Sequence, residues 1–414
     1  VNPAPTMAKA PVLSTEELPP PVDDCRILKK QYPLTSAPYL KAPPYGGDFY
    51  DTSSYMAGRV AVGIILPESS GNTENWTADE VNKVISEIQA AMDWWASIEP
   101  DGHLSFYYDI HTPFDGTQSV KIATEPITTS DGGTWIKQVM NAIGYTNPGQ
   151  GIVRDYFYYV FDYNNDIRDM FDTHWAFTIF AADSSNDKDG CFPDSGFAYA
   201  YLGGPFMVMT YDNQNYGIDN MDAVCSHETG HIFYALDEYS GASSKTERSG
   251  YLDVINANHV SNPASVPCIM KGLVQPFSNH QVCSYTRGQL GLRDTDNDHI
   301  IDVLDSPPQI LLTPYSPDPT SNQSPTYIGH TLVTIVPNKN PQESIPMHDI
   351  TINTISHVEY QINNGSWSSA AASDGVFDEP EEDFTFTGLK TLTTPLPDGT
   401  YTFVVRAIDS AGNI

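Results

Sequence analysis

Residues 227–239 have the sequence HETGHIFYALDEY. In a helix, His227 and His231 lie at positions i and i+4, so both imidazoles project from the same face. That spacing suits two nitrogen ligands on one tetrahedral zinc ion. Glu228 lies beside the metal in such a helix, where its carboxylate can accept a proton from a zinc-bound water molecule. The segment therefore predicts a zinc-binding helix with Glu228 as general base.

The third protein ligand has two candidates. Asp237, ten residues after His227, can reach the metal if the helix ends soon after His231 and the chain turns back. If the helix runs further, the neighbouring Glu238 takes that place. The acid that is not a ligand is then available to hydrogen-bond a ligand histidine. We take Asp237 as the preferred ligand and keep Glu238 as its rival.

The segment resembles the metzincin metallopeptidases, whose pattern is HExxHxxGxxH or, in some members, HExxHxxGxxD. The aspartate form is matched here at His227, Glu228, His231 and Asp237. Tyr234 stands at the turn, where the family usually has glycine, and a tyrosine resists the left-handed conformation that glycine adopts freely. The DEY ending is also similar to that of the bacterial IgA-peptidase group of secreted metallopeptidases. The resemblance implies a zinc-dependent endopeptidase acting on a protein or peptide substrate.

The resemblance also implies a methionine turn beneath the zinc ion. Met270, within VPCIMKGLVQPFS at 266–278, lies 33 residues after Asp237 and is the candidate. Cys268 and Cys283 flank it much as in related secreted proteases, which implies a disulfide bond between them. Disulfides are typical of oxidising compartments, so we expect a secreted or cell-surface location. The pairing of the other cysteines stays open: Cys25, Cys191 and Cys225.

Hydrophobic periodicity predicts the elements around this helix. Thr77 and Glu80 form a capping box ahead of an amphipathic helix of about 20 residues. Further helices are predicted at 134–143, 223–236 and 284–292. Apolar runs predict strands at 59–66, 104–110, 156–163, 175–183 and 198–212. The fold class is α+β, a twisted mixed sheet with helices packed on it, as in a metzincin-like catalytic domain.

A substrate-binding strand is implied within the run LGGPFMVMTYD at 202–212. In the family, an edge strand beside the cleft pairs with an extended substrate through main-chain hydrogen bonds. The resemblance places this role on four candidate residues: Gly203, Gly204, Met207 and Met209. A simple buried strand is the open alternative.

The acidic run DTDNDHIIDVLD at 294–305 has the spacing of a calcium-binding loop. Carboxylates occupy the ligand positions of such a loop, and Ile300 supplies a backbone carbonyl. The acids are Asp294, Asp296, Asp298, Asp302 and Asp305. The run resembles EF-hand-like loops and thrombospondin type-3 repeats, although His299 stands where glycine is usual. A solvated acidic linker is the alternative.

Composition divides the chain into four parts. Residues 1–50 form a Pro-rich N-terminal arm, 51–293 the zinc metallopeptidase domain and 294–307 the calcium-binding linker. Residues 308–414 alternate apolar and polar positions, which predicts strands with one buried face. This last part resembles an immunoglobulin-like β-sandwich of the kind appended to bacterial secreted enzymes.

The net charge is −32, from 20 basic and 52 acidic residues. This excludes an electrostatic footprint for nucleic acid and suits calcium binding. The longest apolar run, 60–66, is too short to cross a bilayer, so we expect no membrane span. We therefore expect a secreted zinc-dependent endopeptidase with Zn²⁺ and Ca²⁺ as cofactors, and we leave the oligomeric state open. The alternative is a cell-surface structural or adhesive protein that retains a peptidase-like domain.

Overall fold

The structure is a computed structural model that divides into two compact units. It describes residues 43–70, 74–115, 120–124, 131–149, 155–185, 190–193, 196–342, 347–391 and 394–414. The first unit contains the described residues up to Arg293 together with Asn338–His348. The second unit contains Asp294–Pro337 and Asp349–Ile414. Most of the predicted N-terminal arm, and Cys25 with it, lies outside the described residues.

A five-stranded mixed sheet forms the centre of the first unit. Its strands are β1 (Arg59–Ile65), β3 (Ser105–His111), β5 (Trp175–Ala182), β6 (Ala198–Ala200) and β7 (Phe206–Thr210). They lie in the order β3-β1-β5-β7-β6. The first four in that order are parallel, and β6 pairs antiparallel with β7. Continuous apolar runs such as β5, which is buried throughout, are typical of strands covered on both faces.

Short strand pairs complete the first unit. The strand β2 (Glu68–Ser69) pairs in parallel with β4 (Lys121–Ile122), and β8 (Arg248–Ser249) pairs antiparallel with β9 (Val254–Ile255). The mixed α/β structure agrees with the α+β class predicted from the sequence.

Helices pack around this sheet. They are α1 (Ala78–Ile98), α2 (Gly132–Ala142), α3 (Asp155–Met170), α4 (Met221–Ile232), α5 (Val274–Ser278) and α6 (Ser284–Gln289). Short 3-10 turns occur at Pro100–Gly102, Gln214–Tyr216, Ile218–Asn220 and Ile269–Lys271. Helix α1 packs on α4, where the indole N–H of Trp95 donates to the carbonyl of Ser226 at 3.0 Å. None of the described helices has both the length and the apolar character needed to cross a bilayer.

The strand predicted at 156–163 is wrong, because these residues lie in α3. A continuous apolar run is compatible with either a buried strand or a buried helix, since it shows no periodicity that separates them. The helix inserts Tyr163 against β1, where a side chain at Gly63 would collide with the tyrosine ring. At the next residue, the Asn164 amide donates to the carbonyl of Pro205 at 2.9 Å. The aromatic run therefore covers one face of the sheet.

The second unit is all-β, with two antiparallel sheets. One contains β10 (Gln309–Leu312), β11 (Thr326–Leu332), β14 (Ala371–Ala372) and β15 (Glu381–Thr387), in the order β10-β11-β15-β14. The other contains β12 (Ile355–Ile362), β13 (Ser368–Ser369) and β18 (Phe403–Asp409), in the order β13-β12-β18. A further pair joins β16 (Leu389–Thr391) and β17 (Thr394–Pro395). Aromatic contacts link the two sheets, with ring centroids 4.4 Å apart between Tyr360 and Phe386.

The segment Asn338–His348 belongs to the first unit, although it lies within the part that the sequence assigned to the C-terminal domain. Hydrogen bonds from Lys339, Gln342 and His348 hold it there, and the side-chain amide of Gln342 donates to the carbonyl of Arg248 at 3.0 Å. The backbone N–H of Lys339 donates to the carbonyl of Tyr251 at 2.8 Å. The imidazole of His348 lies 2.8 Å from the carboxylate of Asp51. Composition does not reveal such an excursion, because these contacts join residues that lie far apart in the sequence.

Helix α1 begins with the capping box that the sequence predicts. Both hydrogen bonds of the predicted capping box are present, between Thr77 Oγ1 and the N–H of Glu80 and between the Glu80 carboxylate and the N–H of Thr77. We expect Thr77→Ala to lower the free energy of unfolding by about 1 kcal/mol, the usual cost of losing an N-cap side chain. Chemical denaturation followed by tryptophan fluorescence measures this. Thr77→Ser keeps the hydroxyl and is the control; an unchanged midpoint for the alanine variant would contradict the capping role.

Candidate metal centre

Helix α4 ends in a tight turn that reverses the chain. The N–H of Ala235 donates to the carbonyl of Gly230, and the N–H of Tyr234 donates to that of His231, both at 2.9 Å. These two bonds define a Schellman ending, whose residue after the cap adopts a left-handed conformation. Tyr234 does so, with φ 69°. The helix therefore ends directly after His231 and Ile232, with a tyrosine in the left-handed position.

The environment of Tyr234 explains how a tyrosine holds this conformation. Its ring packs directly on Gly203, where no side chain would fit. The hydroxyl of Ser249 donates to its carbonyl at 2.6 Å. The N–H of Gly203 donates a second hydrogen bond, at 3.0 Å, to the carbonyl of His231 at the end of the helix. Packing and hydrogen bonds thus offset a backbone cost of about 1–2 kcal/mol.

The turn brings the carboxylate of Asp237 to both histidines. Its Oδ1 lies 3.1 Å from Nε2 of His227 and 3.3 Å from Nε2 of His231. The two Nε2 atoms are 3.2 Å apart. A tetrahedral zinc ion with bonds of about 2.0–2.1 Å has ligand atoms about 3.3 Å from one another. The three atoms therefore have the spacing of three corners of a zinc tetrahedron.

Backbone carbonyls orient both imidazoles. Nδ1 of His227 lies 3.0 Å from the carbonyl oxygen of Ile269, and Nδ1 of His231 lies 2.7 Å from that of Ala235. With Nδ1–H donating to these carbonyls, each Nε2 presents its lone pair to the shared centre. Burial lowers the pKa of His231, but the neighbouring Asp237 outweighs it and raises that pKa to about 9.

Glu228 is fully buried in the turn of helix between the two histidines. Both of its carboxylate oxygens are without a hydrogen-bond partner among the described residues. Burial raises the pKa of this carboxyl, while the positive charge of the imidazoles opposes that increase. Unpartnered buried polar groups are rare in folded proteins and commonly mark catalytic or ion-binding positions. The carboxylate of Glu228 is thus available to hydrogen-bond a ligand from outside the chain.

Met270 lies in the 3-10 turn Ile269–Lys271, completely buried. A Cβ atom at Gly230 would lie 2.6 Å from its sulfur, so the methionine packs against α4 in the turn that carries His231. Its carbonyl accepts a hydrogen bond of 2.8 Å from the N–H of Glu238. Met270 therefore contacts both α4 and the segment after this helix that carries Asp237 and Glu238.

Glu238, the rival third ligand, lies in a different cluster. One of its carboxylate oxygens accepts hydrogen bonds from Cys283 Sγ and Thr286 Oγ1, both at 3.0 Å. The side-chain amide of Asn258 donates to the other oxygen. The structure therefore brings Asp237 to the histidines and directs Glu238 away from them.

The disulfide predicted between Cys268 and Cys283 is wrong, because both are free cysteines in this structure. Both sulfurs lie within hydrogen-bond distance of Thr286 Oγ1, and each has further partners. The Cys283 thiol donates to Glu238, and the Cys268 sulfur accepts a hydrogen bond of 3.3 Å from the N–H of Cys283. Cys191 and Cys225 are also buried, and neither forms a disulfide among the described residues.

The substrate-binding role predicted for Met207 and Met209 is also wrong. Both lie in β7, which is bonded to β5 on one side and to β6 on the other. Their main-chain groups have no free edge to offer a substrate. Gly203 and Gly204 precede this strand and serve the turn instead, since the carbonyl of Gly203 accepts from the hydroxyl of Ser53 at 2.9 Å.

The acidic loop brings three of its predicted ligands together. Carboxylate oxygens of Asp294, Asp296 and Asp298 lie within 4.8 Å of one another. His299, at the glycine position, adopts φ 74°, so the tight turn forms. Two other predicted ligands, Asp302 and Asp305, lie outside this group: the Asp302 carboxylate accepts from the backbone and hydroxyl of Thr295, each at 2.7 Å. Ile300 donates its N–H to Asp298 at 2.9 Å.

A small, mainly apolar cavity adjoins His227, and no pattern in the sequence indicates it. It is lined by Tyr216, Ala223, Val224, His227, Ile269, Gly272 and Leu273. The hydroxyl of Tyr216 donates to the carbonyl of Gly272 and fixes one wall. These residues come from three separate segments, so no local pattern links them.

No protein-family model matches the chain, and no curated protein matches it significantly. Among solved structures, the chain is weakly similar to a zinc-dependent peptidase from Methanocorpusculum labreanum, with 13% identity and a TM-score of 0.25 over 55% of this chain and 99% of that one. It is also weakly similar to OgpA from Akkermansia muciniphila, with 10% identity and a TM-score of 0.28 over 91% of this chain and 98% of that one. Similarities at this level do not assign a function, which has to rest on the geometry of the site.

The contact between Gly230 and Met270 yields a test of this geometry. Alanine in place of a helical glycine normally stabilises by about 1 kcal/mol, but overpacking a core costs about 1–3 kcal/mol. We therefore expect Gly230→Ala to lower the free energy of unfolding by about 1 kcal/mol in chemical denaturation. In a Met270→Ala background the space is open, and the same change should be neutral or stabilising. Additive effects in this double-mutant cycle would rule out the contact.

Proposed function

We propose that this chain is a zinc-dependent endopeptidase of metzincin type. The observation that carries the proposal is the triangle formed by Nε2 of His227, Nε2 of His231 and Oδ1 of Asp237, with edges of 3.1–3.3 Å. Two nitrogens and one oxygen from the protein leave the fourth position of a tetrahedral zinc open, as in catalytic sites. Met270 then occupies the place of the methionine turn.

A bound metal ion and Glu228 would have separate roles in the reaction. A zinc ion held there would supply Lewis-acid chemistry, which acidifies a water molecule and polarises the scissile carbonyl. Glu228 takes the proton of the attacking water on a carboxylate oxygen and later delivers it to the nitrogen of the leaving amine. Its freedom from other hydrogen bonds suits it to both transfers. The carbonyls of Ile269 and Ala235 hold the two imidazoles in the required tautomer.

The structural or adhesive alternative accounts for less of the site. A protein that only binds zinc needs ligands but no general base. The buried and unpartnered carboxylate of Glu228 would then be a cost of several kcal/mol without a purpose. This favours catalysis over a purely structural role.

Replacing Glu228 tests the mechanism. We expect Glu228→Gln to lower kcat for cleavage of a denatured protein by about 10³-fold or more, because the amide cannot accept the proton of the attacking water. The zinc content should stay at the wild-type level, since glutamine leaves all three ligands in place. Steady-state kinetics and elemental analysis of the same samples measure both quantities.

A ligand variant and the wild type are the controls for this test. His231→Ala should lose both activity and one equivalent of zinc, because it removes a ligand. Equal cleavage by Glu228→Gln and the wild type would contradict the role of the base. A wild-type chain that binds zinc at the histidines and cleaves no protein would favour the structural alternative.

We further propose that the loop at 294–305 binds Ca²⁺. The proposal is supported by the three converging carboxylates of Asp294, Asp296 and Asp298 and by the left-handed turn at His299. Hard oxygen ligands at this spacing suit calcium rather than zinc. An extracellular location, which we also propose, would supply the millimolar calcium that sites of this kind use.

Calcium binding has a measurable effect on stability. With free Ca²⁺ at 100 times its dissociation constant, we expect the free energy of unfolding of the second unit to rise by about 2.7 kcal/mol. The doubly substituted Asp294→Asn, Asp296→Asn chain should show a much smaller increase. Calorimetric titration of the zinc-loaded protein, with Mg²⁺ as the comparison ion, distinguishes a calcium site from a solvated acidic linker, which would show no saturable heat.

A further inference from the structure

Glu238, Cys268 and Cys283 form a second buried cluster beside the histidine centre. Each residue offers one donor atom, and the three atoms lie within 4.8 Å of one another. All three residues are buried, with Glu238 and Cys268 completely inaccessible. They come from three segments: the chain after Asp237, the start of the turn Ile269–Lys271, and the N-terminus of α6.

The cluster contains a carboxylate without a cation. Within the described part of the chain, Glu238 makes no ion pair with lysine, arginine or histidine; its contacts are Cys283, Thr286 and Asn258. Burying a carboxylate is costly unless a positive charge or a full set of hydrogen bonds compensates it. Two of its three partners are a thiol and a hydroxyl, which are weak substitutes for a charge.

The donor set is made of groups that bind zinc in proteins. Two thiols and one carboxylate offer soft sulfur and hard oxygen ligands, a combination that zinc accepts and that calcium and magnesium do not. The hydroxyl of Thr286 lies 3.0 Å from the Glu238 carboxylate and 3.3 Å from Cys268 Sγ. We propose that Glu238, Cys268 and Cys283 hold a second zinc ion, separate from the one at the histidines.

Binding changes the protons but no oxidation state. The two thiols release their protons to solvent as thiolates and each forms a bond to Zn²⁺, while the carboxylate contributes an oxygen. The two thiolates balance the two positive charges of the ion, and the Glu238 carboxylate is held as a ligand beside that cation. A disulfide between the same cysteines would instead leave Glu238 buried without a cation and would remove the thiol that donates to it.

The role of this ion is structural. Glu238 adjoins Asp237, and its N–H is bonded to the carbonyl of Met270. Cys268 adjoins Ile269, whose carbonyl orients His227. One ion therefore fixes the two segments that position the third ligand and the first histidine.

Elemental analysis of the full-length chain, purified without reducing agent or chelator, tests the proposal. We expect two zinc ions per wild-type chain, one per chain for the Cys268→Ser, Cys283→Ser double variant, and one for the His227→Ala, His231→Ala double variant. Cys191→Ser removes a buried thiol elsewhere and should keep both ions. Because the two double variants lose different ions, failure of this proposal is distinguishable from failure of the proposed peptidase site.

Cobalt substitution supplies a readout that needs no cysteine variant. Co²⁺ bound to thiolates gives a sulfur-to-metal charge-transfer absorption, which imidazole and carboxylate ligands do not give. We expect this band in the cobalt-loaded wild type and in the His227→Ala, His231→Ala chain. Its absence from the wild type would overturn the proposal. So would peptide mass mapping that recovers Cys268 and Cys283 as a disulfide, or a single zinc ion that the histidine variant removes completely.

Discussion

The hydrogen bond from Ala235 N–H to the carbonyl of Gly230 is the constraint on which the candidate site depends. It ends α4 one residue after His231 and sends the chain back across the two imidazoles. Without it the helix would continue, and Asp237 would point away from the histidines along the helix axis. The bond requires a left-handed residue at 234, and the protein holds a tyrosine there by packing its ring on Gly203. The absence of a side chain at Gly203 thus makes room for the ring of a tyrosine in the left-handed position of the turn.

The site is assembled from backbone atoms as much as from side chains. The carbonyls of Ile269 and Ala235 set both imidazole orientations, and the carbonyl of Met270 holds the N–H of Glu238. Backbone donors and acceptors have no sequence signature, because every residue supplies them. Their positions depend on the path of the chain, which the buried Met270 and its contact with Gly230 fix. The packing of the methionine segment therefore controls the geometry of the metal ligands indirectly.

Sequence reasoning succeeded where the information is local and failed where it is not. The spacing of His227 and His231 and the capping box at Thr77 are properties of a single helix, so a short segment determines them. The run at 156–163 was assigned to a strand because uniform burial erases periodicity. Met207 and Met209 were assigned to an edge because only the sheet order reveals which strand is last. The choice between Asp237 and Glu238 depended on a turn held by Gly203, which lies about thirty residues earlier in the chain.

Asp237 and Glu238 show how closely the two clusters are coupled. Consecutive residues in a non-helical segment direct their side chains to different sides, so one peptide unit separates a ligand of the histidine centre from a member of the cysteine cluster. A shift of either cluster displaces the other, since Asp237 and Glu238 are consecutive residues joined by one peptide bond. A zinc ion at the cysteines would restrain Glu238 and, through it, the position of Asp237. The affinity of the histidine centre is then set partly by residues that never touch its metal, as is usual when the groups around the ligands determine their orientation.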